Sequence, residues 1–275
     1  MAEYHALVAG MPVVNATDAE PVLDVATFKS SYMPQLNKGD RQLVAMYLHR
    51  YDNRNLLALM QDDAAWDDRG IYSREELQAA IEAVERGDKC DEVCPYIVTF
   101  LTEDKRLPEG VLAEDALALR YMEYARGLKN KFVQQWFEFE QNVSNIIVAL
   151  TARQVGIDAR CSIVGNDIIS TQLRESKEQD FGLKTILPYF GNLLAVTKIS
   201  DPVQKERALD ELKWRWLEDE TFFHYFTVEK VFAFLVKLDI IERWSRLDAE
   251  TGQQLFRRLI DNIKSEAQVP DEFSR

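Results

Sequence analysis

The sequence predicts an all-α protein that folds as a single large helical domain. Its 275 residues include only 11 glycines and 8 prolines, a combined frequency well below the average of about 12%. A chain so poor in turn-forming residues is unsuited to the many hairpins of a β-sandwich or barrel. Helix signals recur along the chain, and no long stretch of Ser, Gly and Pro divides it into separate domains.

The first strong helix signal is a capping box formed by Ser73 and Glu76. The serine hydroxyl accepts a free backbone N–H of the first turn, and the glutamate carboxylate accepts the N–H of the serine. Gly87 stands where a helix end favours a left-handed residue, so we predict a helix between Ser73 and Gly87. The apolar stripe of this helix consists of Leu77, Ala80, Ile81 and Val84.

The middle of the chain is dominated by one long helical pattern over residues 111–155. Gly127 is its weak point and Gly156 its expected terminator, because glycine is a poor helix former and is favoured just past a helix C-terminus. Before this pattern, residues 96–101 fit a short strand, but we predict no sheet.

The last third of the chain contains a helix start at Asp201 and Pro202. The aspartate can cap the first turn, and the proline lacks only an N–H that needs no partner there. Residues 227–247 are apolar on nearly every side, which is typical of a helix at the centre of a large core or under a partner, and we favour the core. We expect a separate last helix to begin at Asp248.

The chain also contains a weak internal echo. Asn55 and Asn145 each precede an aliphatic run on a predicted helix, with a second Asn a few residues earlier, and a fainter version lies at residues 239–247. The spacing of roughly 90 residues exceeds that of common solenoid repeats. Such short matches arise by chance, so the echo alone does not predict repeats.

The charge balance excludes one class of partner. The formal net charge is −13, and without a run of Lys or Arg we predict no nucleic-acid partner. The longest apolar run, residues 231–236, is far shorter than the ~20 residues that a membrane span needs. Residues 1–9 lack the features of a secretory signal, so we expect a soluble protein that is not inserted into a membrane.

The cysteines and histidines do not form a recognisable site in the sequence. Cys90, Cys94 and Cys161 make no disulfide framework, which suggests an intracellular compartment. The spacing of Cys90 and Cys94 does not match a zinc knuckle, and no second pair is present. The histidines are isolated from one another: His49 neighbours hydrophobic positions, and His224 lies in an aromatic run, where we expect a core or interface residue.

An acidic cluster before Gly70 invites comparison with a calcium loop. It consists of Asp62, Asp63, Asp67 and Asp68. The alternating order and the closing glutamate of a calcium loop are missing, so we interpret it as a solvated loop. Phosphate-binding glycine loops and nucleophile motifs are also missing. We therefore predict no catalytic, cofactor-binding or metal-binding residues, with an enzyme site built from scattered carboxylates as an alternative.

Aromatic residues are concentrated after residue 213. Trp214 and Trp216 diverge by about 200° on a helix, so both cannot face the core. We expect one of them at an edge or contact surface, and we assign most rings of this region, which also contains the run at residues 222–226, to core packing.

Two stretches, residues 226–246 and 145–156, resemble recurring segments of the C subunit of V/A-type rotary ATPases, which is called d in eukaryotes. The first is an aliphatic helix that leads into an acidic and arginine-rich stretch. The second has an Asn, an aliphatic run and then Arg and Gly. The whole chain is similar to a bacterial family of unassigned function whose genes lie among those of V-type ATPase subunits.

The resemblance implies three related helical modules, which we place at residues 1–105, 106–187 and 188–275. Together they would form a funnel that joins the rotor shaft to the membrane ring. We expect a non-catalytic part of the central stalk, cytoplasmic and peripheral to the inner membrane, whose partners are the shaft and ring subunits. The candidate partner-binding residues are Arg54, Arg153, Arg243 and Arg246. The alternative is a helical adaptor or assembly factor that is not a stoichiometric subunit.

Overall fold

The computed structural model describes residues 3–18, 20–104 and 112–266, with side chains described except at 104 and 248–266. Within these ranges the protein is all-α and has no strand, as predicted. The α-helices are α1 (His5–Ala9), α2 (Val25–Thr27), α3 (Lys38–Met60), α4 (Arg74–Arg86), α5 (Pro95–Asp104), α6 (Ala113–Arg126), α7 (Lys131–Val155), α8 (Ile168–Glu175), α9 (Phe190–Val196), α10 (Pro202–Glu220) and α11 (Val228–Glu266). Short π and 3-10 segments lie at Phe28–Tyr32, Met33–Gln35 and Arg160–Ser162.

A single hydrophobic core unites these helices and confirms the prediction of one domain. Phe232 of α11 is fully buried at its centre. Its ring lies 5.9 Å from that of Tyr47 on α3 and 5.8 Å from that of Phe132 on α7. The helix that is apolar on all sides therefore lies in the core, against α3 and α7, as the pattern indicated.

Several predicted helix boundaries that were set by a local capping signal are confirmed. Ser73 and Glu76 form the complete capping box of α4, and Gly87 ends that helix with a φ of 77°. Asp201 caps α10, and Gly156 ends α7 with a φ of 74°. A positive φ costs glycine little because it has no Cβ, which explains why helices end at these two glycines.

The long central pattern forms two helices, α6 and α7, and the chain turns at the weak point Gly127. Asn130 starts α7 by accepting the N–H of Val133 at 3.0 Å. The Gln134 amide donates to the carbonyl oxygens of Arg126, at 2.9 Å, and Leu128, so the turn is held by side-chain hydrogen bonds. Residue 111, where the pattern begins, lies outside the described residues.

Two local predictions, the short strand at 96–101 and the helix start at Asp248, are wrong. The stretch 96–101 is helical and belongs to α5, which packs on α6. No new helix begins at Asp248, because α11 continues through it to Glu266. An aspartate caps a helix only where the preceding backbone is not helical, and α11 runs without Gly or Pro from Val228 to that point.

The internal echo corresponds to a repeated structural device. Asn55 accepts the N–H of Asp67 at 2.8 Å and donates to its carbonyl oxygen at 2.9 Å. Asn145 makes the same pair of hydrogen bonds to Val164, at 3.0 and 2.7 Å. In both cases a central helix clamps the loop that follows it, and a capped helix, α4 or α8, begins soon after that loop.

The faintest part of the echo, on α11, is built differently. There Glu242 accepts the backbone N–H of Val25 at 2.7 Å, so α11 holds a segment that precedes it in the chain. The division into three modules at 1–105, 106–187 and 188–275 stays a prediction, and the first of its boundaries lies outside the described residues.

Candidate functional site

The helices α3, α7, α10 and α11 enclose a polar cavity of about 130 Å³. Its lining includes the side chains of Tyr47, Arg50, Tyr51, Arg54, Arg69, Trp136, Glu140, Asp210, Lys213, Asp239 and Arg243. We call this the polar cavity. In a chain with a net charge of −13, five of these eleven side chains are basic and three are acidic.

One face of α3 supplies the first wall. Tyr47, Arg50, Tyr51 and Arg54 stand at positions i, i+3, i+4 and i+7, which lie on the same side of an α-helix. The guanidinium of Arg50 lies 4.1 Å from the centre of the Tyr47 ring. This alternation of Tyr and Arg at helical spacing is visible in the sequence, and it is the signal that sequence reasoning missed.

Asp239 of α11 is the acceptor that ties this face to the core. It is nearly buried and accepts the hydroxyl of Tyr47 at 2.7 Å and that of Tyr51. Arg69, from the loop between α3 and α4, approaches it at 3.3 Å. Burial and the Asp239 carboxylate both raise the pKa of Tyr51 above its usual value, so this phenol stays protonated as a donor.

Glu140 of α7 joins three helices. Its side chain is 9% exposed and accepts Arg50 of α3 at 2.6 Å and Lys213 of α10 at 3.1 Å. Burial alone would raise the pKa of Glu140, but the two cations outweigh it and lower that pKa. The carboxylate therefore stays ionised, as a structural ion pair requires, whereas a general acid would need a raised pKa.

Two donors in the cavity wall have no acceptor among the described residues. They are Nε of Arg50 and Nε1 of Trp136, and both are buried. Buried N–H groups are nearly always hydrogen-bonded in folded proteins. Both atoms are therefore unsatisfied donors among the described residues, and neither is open to solvent.

The structure brings two of the four predicted arginines to this cavity. Arg54 is exposed, lies 5.6 Å from the centre of the Tyr51 ring, and has no ion pair within the part of the chain that the structure describes. Arg243 pairs with the buried Asp210, which also accepts Nε1 of Trp244 at 2.8 Å. Arg54 is thus the free cation of the two within the described residues, and Arg243 is held in place.

The other two arginines lie elsewhere. Arg153 of α7 donates to the carbonyl oxygens of Ser176, at 2.5 Å, and Glu178, and it fastens the loop after α8. Arg246 pairs with Glu242, four residues earlier on α11. Their contacts are within the protein, so the geometry gives both a structural role.

The tryptophans of α10 both pack against neighbouring helices. Trp214 is buried, with Lys237 of α11 over its ring at 4.5 Å. Trp216 is partly exposed and stacks on Phe139 of α7 at 5.0 Å, so it is the tryptophan at the edge. The aromatic run that follows is mostly outside the core, since Phe222 is 64% exposed and Phe223 81%. The expectation that most rings of this region pack in the core is therefore wrong for this run, although Trp214, Phe232 and Phe234 are buried.

The acidic loop before Gly70 is organised by its own arginine. Asp67 accepts Nε and Nη2 of Arg69 at 2.9 and 2.6 Å, while Asp63 accepts the N–H of Ala65. Burial opposes ionisation of Asp67, but Arg69 outweighs it and lowers the pKa of this carboxyl. Among the residues with described side chains, no cluster of His, Cys, Asp and Glu is suited to a metal ion.

Comparison with known proteins identifies a family for this chain. Searches against curated proteins and against solved structures found no match. No helix within the described ranges combines the length and apolarity needed to cross a bilayer. The model of the family DUF2764, described as "Protein of unknown function", matches residues 1–267, and the chain therefore belongs to that family.

Proposed function

We propose that the protein is a non-catalytic central-stalk component of a V/A-type ATPase that couples the rotor shaft to the membrane ring. The observation that carries the proposal is the polar cavity, a charged junction of four helices that is lined in part by Arg54, which has no ion pair among the described residues. The resemblance of residues 145–156 and 226–246 to the C subunit is the reason for proposing a rotary ATPase as the complex.

A torque-transmitting part must resist deformation. The charged groups of the cavity supply such resistance, because Glu140 links α3, α7 and α10, while Asp239 links α3 and α11. Rings from α3 and α7 are packed within about 6 Å of the ring of Phe232. A densely packed interior transmits strain across the protein.

A coupling component must also hold its neighbours. Arg54 has no competing carboxylate among the described residues, so an acidic group of the shaft can pair with it. The loop after α10 provides a second contact, because Phe222, Phe223 and Tyr225 are 64%, 81% and 62% exposed. Aromatic side chains and arginines are enriched at the centres of protein interfaces.

The test is purification of a tagged chain from membranes of its own cell. We expect the rotor and ring subunits to accompany it at one copy per complex. Arg54→Glu should reduce the recovery of the shaft subunits without changing the helical circular dichroism, since Arg54 is exposed. Arg86→Glu is the matched control, because Arg86 is also an exposed helix arginine and pairs with its near neighbours Glu82 and Asp88.

Each result has a distinct meaning. Sub-stoichiometric recovery with ATPase subunits would favour the adaptor or assembly factor. Repeated recovery of the wild-type chain without any ATPase subunit would overturn the proposal. Undiminished association of Arg54→Glu would leave the ATPase role in place but show that the shaft does not bind at the polar cavity.

A further inference from the structure

A second cluster lies outside the polar cavity. Sγ of Cys94 is 3.2 Å from Nε2 of His49, and Nδ1 of the same imidazole is 2.7 Å from Oδ2 of Asp52. His49 and Asp52 belong to α3, and Cys94 immediately precedes α5. A thiol, an imidazole and a carboxylate in this order form the arrangement that activates a cysteine.

Backbone hydrogen bonds hold the side chain of Asp52 in place beside His49. It is fully buried and accepts the backbone N–H groups of Ile71 and Tyr72, each at 3.0 Å. A Cβ at Gly70 would lie 2.4 Å from Oδ1 of Asp52, so the close approach of this loop requires glycine. The hydrogen bond between Asp52 and Nδ1 of His49 orients the imidazole so that Nε2 faces the sulfur.

The surroundings favour a thiolate paired with an imidazolium. Burial opposes the charge on His49, but hydrogen bonds to Asp52 and Cys94 outweigh it and raise the pKa of His49 to about 9. Burial likewise opposes a thiolate, but the hydrogen bond and charge of His49 lower the pKa of Cys94. The start of α5 adds the positive end of a helix dipole beside the sulfur.

Among the residues with described side chains, the other titratable groups that face the pair are tyrosines. Tyr72 stacks on His49 at 5.3 Å and its hydroxyl accepts the N–H of Cys94 at 2.8 Å. Tyr96 of α5 lies 6.2 Å from the imidazole, and Tyr124 of α6 also faces Cys94. Burial raises the pKa of all three, so they stay neutral and the imidazolium offsets the thiolate.

From this geometry we infer that Cys94 is a modification site for small hydroperoxides, with His49 as its proton donor and Asp52 as the positioning residue of that histidine. The sulfur is only partly exposed and has aromatic rings around it, which restricts access to small reactants. The thiolate attacks one peroxide oxygen and the O–O bond breaks. Cys94 becomes a sulfenic acid, and the leaving oxygen takes the proton of His49 to form water or an alcohol.

The three cysteines allow an internally controlled experiment on the intact chain. Cys161 is exposed and Cys90 is buried. Iodoacetamide labelling between pH 5 and 9, followed by peptide mass spectrometry, gives a rate profile for each sulfur. We expect the midpoint for Cys94 to lie at least about one pH unit below that of Cys161, which means a roughly tenfold larger thiolate fraction at low pH. A midpoint equal to or above that of Cys161 would overturn the inference.

Two further arms test the peroxide step and the histidine. Hydrogen peroxide with dimedone should label Cys94 in the wild type, and labelling of Cys161 alone would contradict the assignment. His49→Gln should raise the midpoint for Cys94 by about one unit or more while leaving that of Cys161 unchanged. The wild-type profiles remain decisive even where that variant does not fold.

Discussion

The side-chain amide of Asn55 satisfies both backbone hydrogen-bonding groups of Asp67, accepting its N–H at 2.8 Å and donating to its carbonyl at 2.9 Å. The amide mimics a neighbouring peptide group, so the loop after α3 is held as a β-bridge would hold it. Because Asn55 is itself buried, water cannot replace these hydrogen bonds.

We predict that Asn55→Ala lowers the free energy of unfolding by about 2–4 kcal/mol, because two hydrogen bonds are lost and the partly buried backbone groups of Asp67 lose their partners. Asn145→Ala should cost a similar amount, since it makes the equivalent hydrogen bonds to Val164. Urea unfolding measures both. Asn166→Ala is the control: that residue is exposed and should change stability by less than about 0.5 kcal/mol. Equal, small effects in all three variants would refute the clamp.

Glu140→Gln should destabilise the protein by about 3 kcal/mol near neutral pH, because Arg50 and Lys213 lose their shared carboxylate. The pKa of Glu140 is lowered from 4.5 in the folded state. The contribution of Glu140 to the free energy of unfolding is therefore fully present above pH 4.5, and it is lost as the pH falls through the lower pKa of the folded state. The stability gap between wild type and variant should close in acid. A gap that is constant from pH 7 to pH 3 would contradict an ionised Glu140.

Gly70→Ala should destabilise the protein by more than about 2 kcal/mol, because the new Cβ would displace the buried carboxylate of Asp52. Gly191→Ala is the matched control. Gly191 lies in α9, where a Cβ would meet no atom within 4 Å, so alanine should stabilise by about 0.5–1 kcal/mol. Thermal unfolding compares the two variants, and a Gly70→Ala protein as stable as the wild type would show that the loop can retreat from Asp52.

Local sequence signals were sufficient for the fold class and for several helix ends. Helix caps act through atoms that are only a few residues apart, so they can be recognised in the sequence. Examples are the capping box at Ser73, the cap at Asp201 and the terminating Gly156. The same reasoning failed at Asp248, because a capping residue has no effect inside a helix that is already propagating.

Only part of each candidate site could be predicted from the sequence. Tyr47, Arg50, Tyr51 and Arg54 mark one face of α3 in the sequence, but Asp239 binds Tyr47 from 192 positions away. His49 and Cys94 are 45 positions apart, and no sequence motif connects them. They come into contact only because α3 and the start of α5 lie side by side in the fold. Spacing along a helix predicts which side chains share a face and leaves open what that face meets.

By itself, the sequence determined that this protein is helical, single-domain and capped at defined residues, since these properties depend on composition and on neighbours along the chain. Only the tertiary structure decided that Glu140 pairs with two cations, that Arg54 has no ion pair among the described residues, and that Cys94 contacts His49. Burial and charge pairing depend on distances in space, and for groups far apart in the chain those distances exist only after the helices have packed.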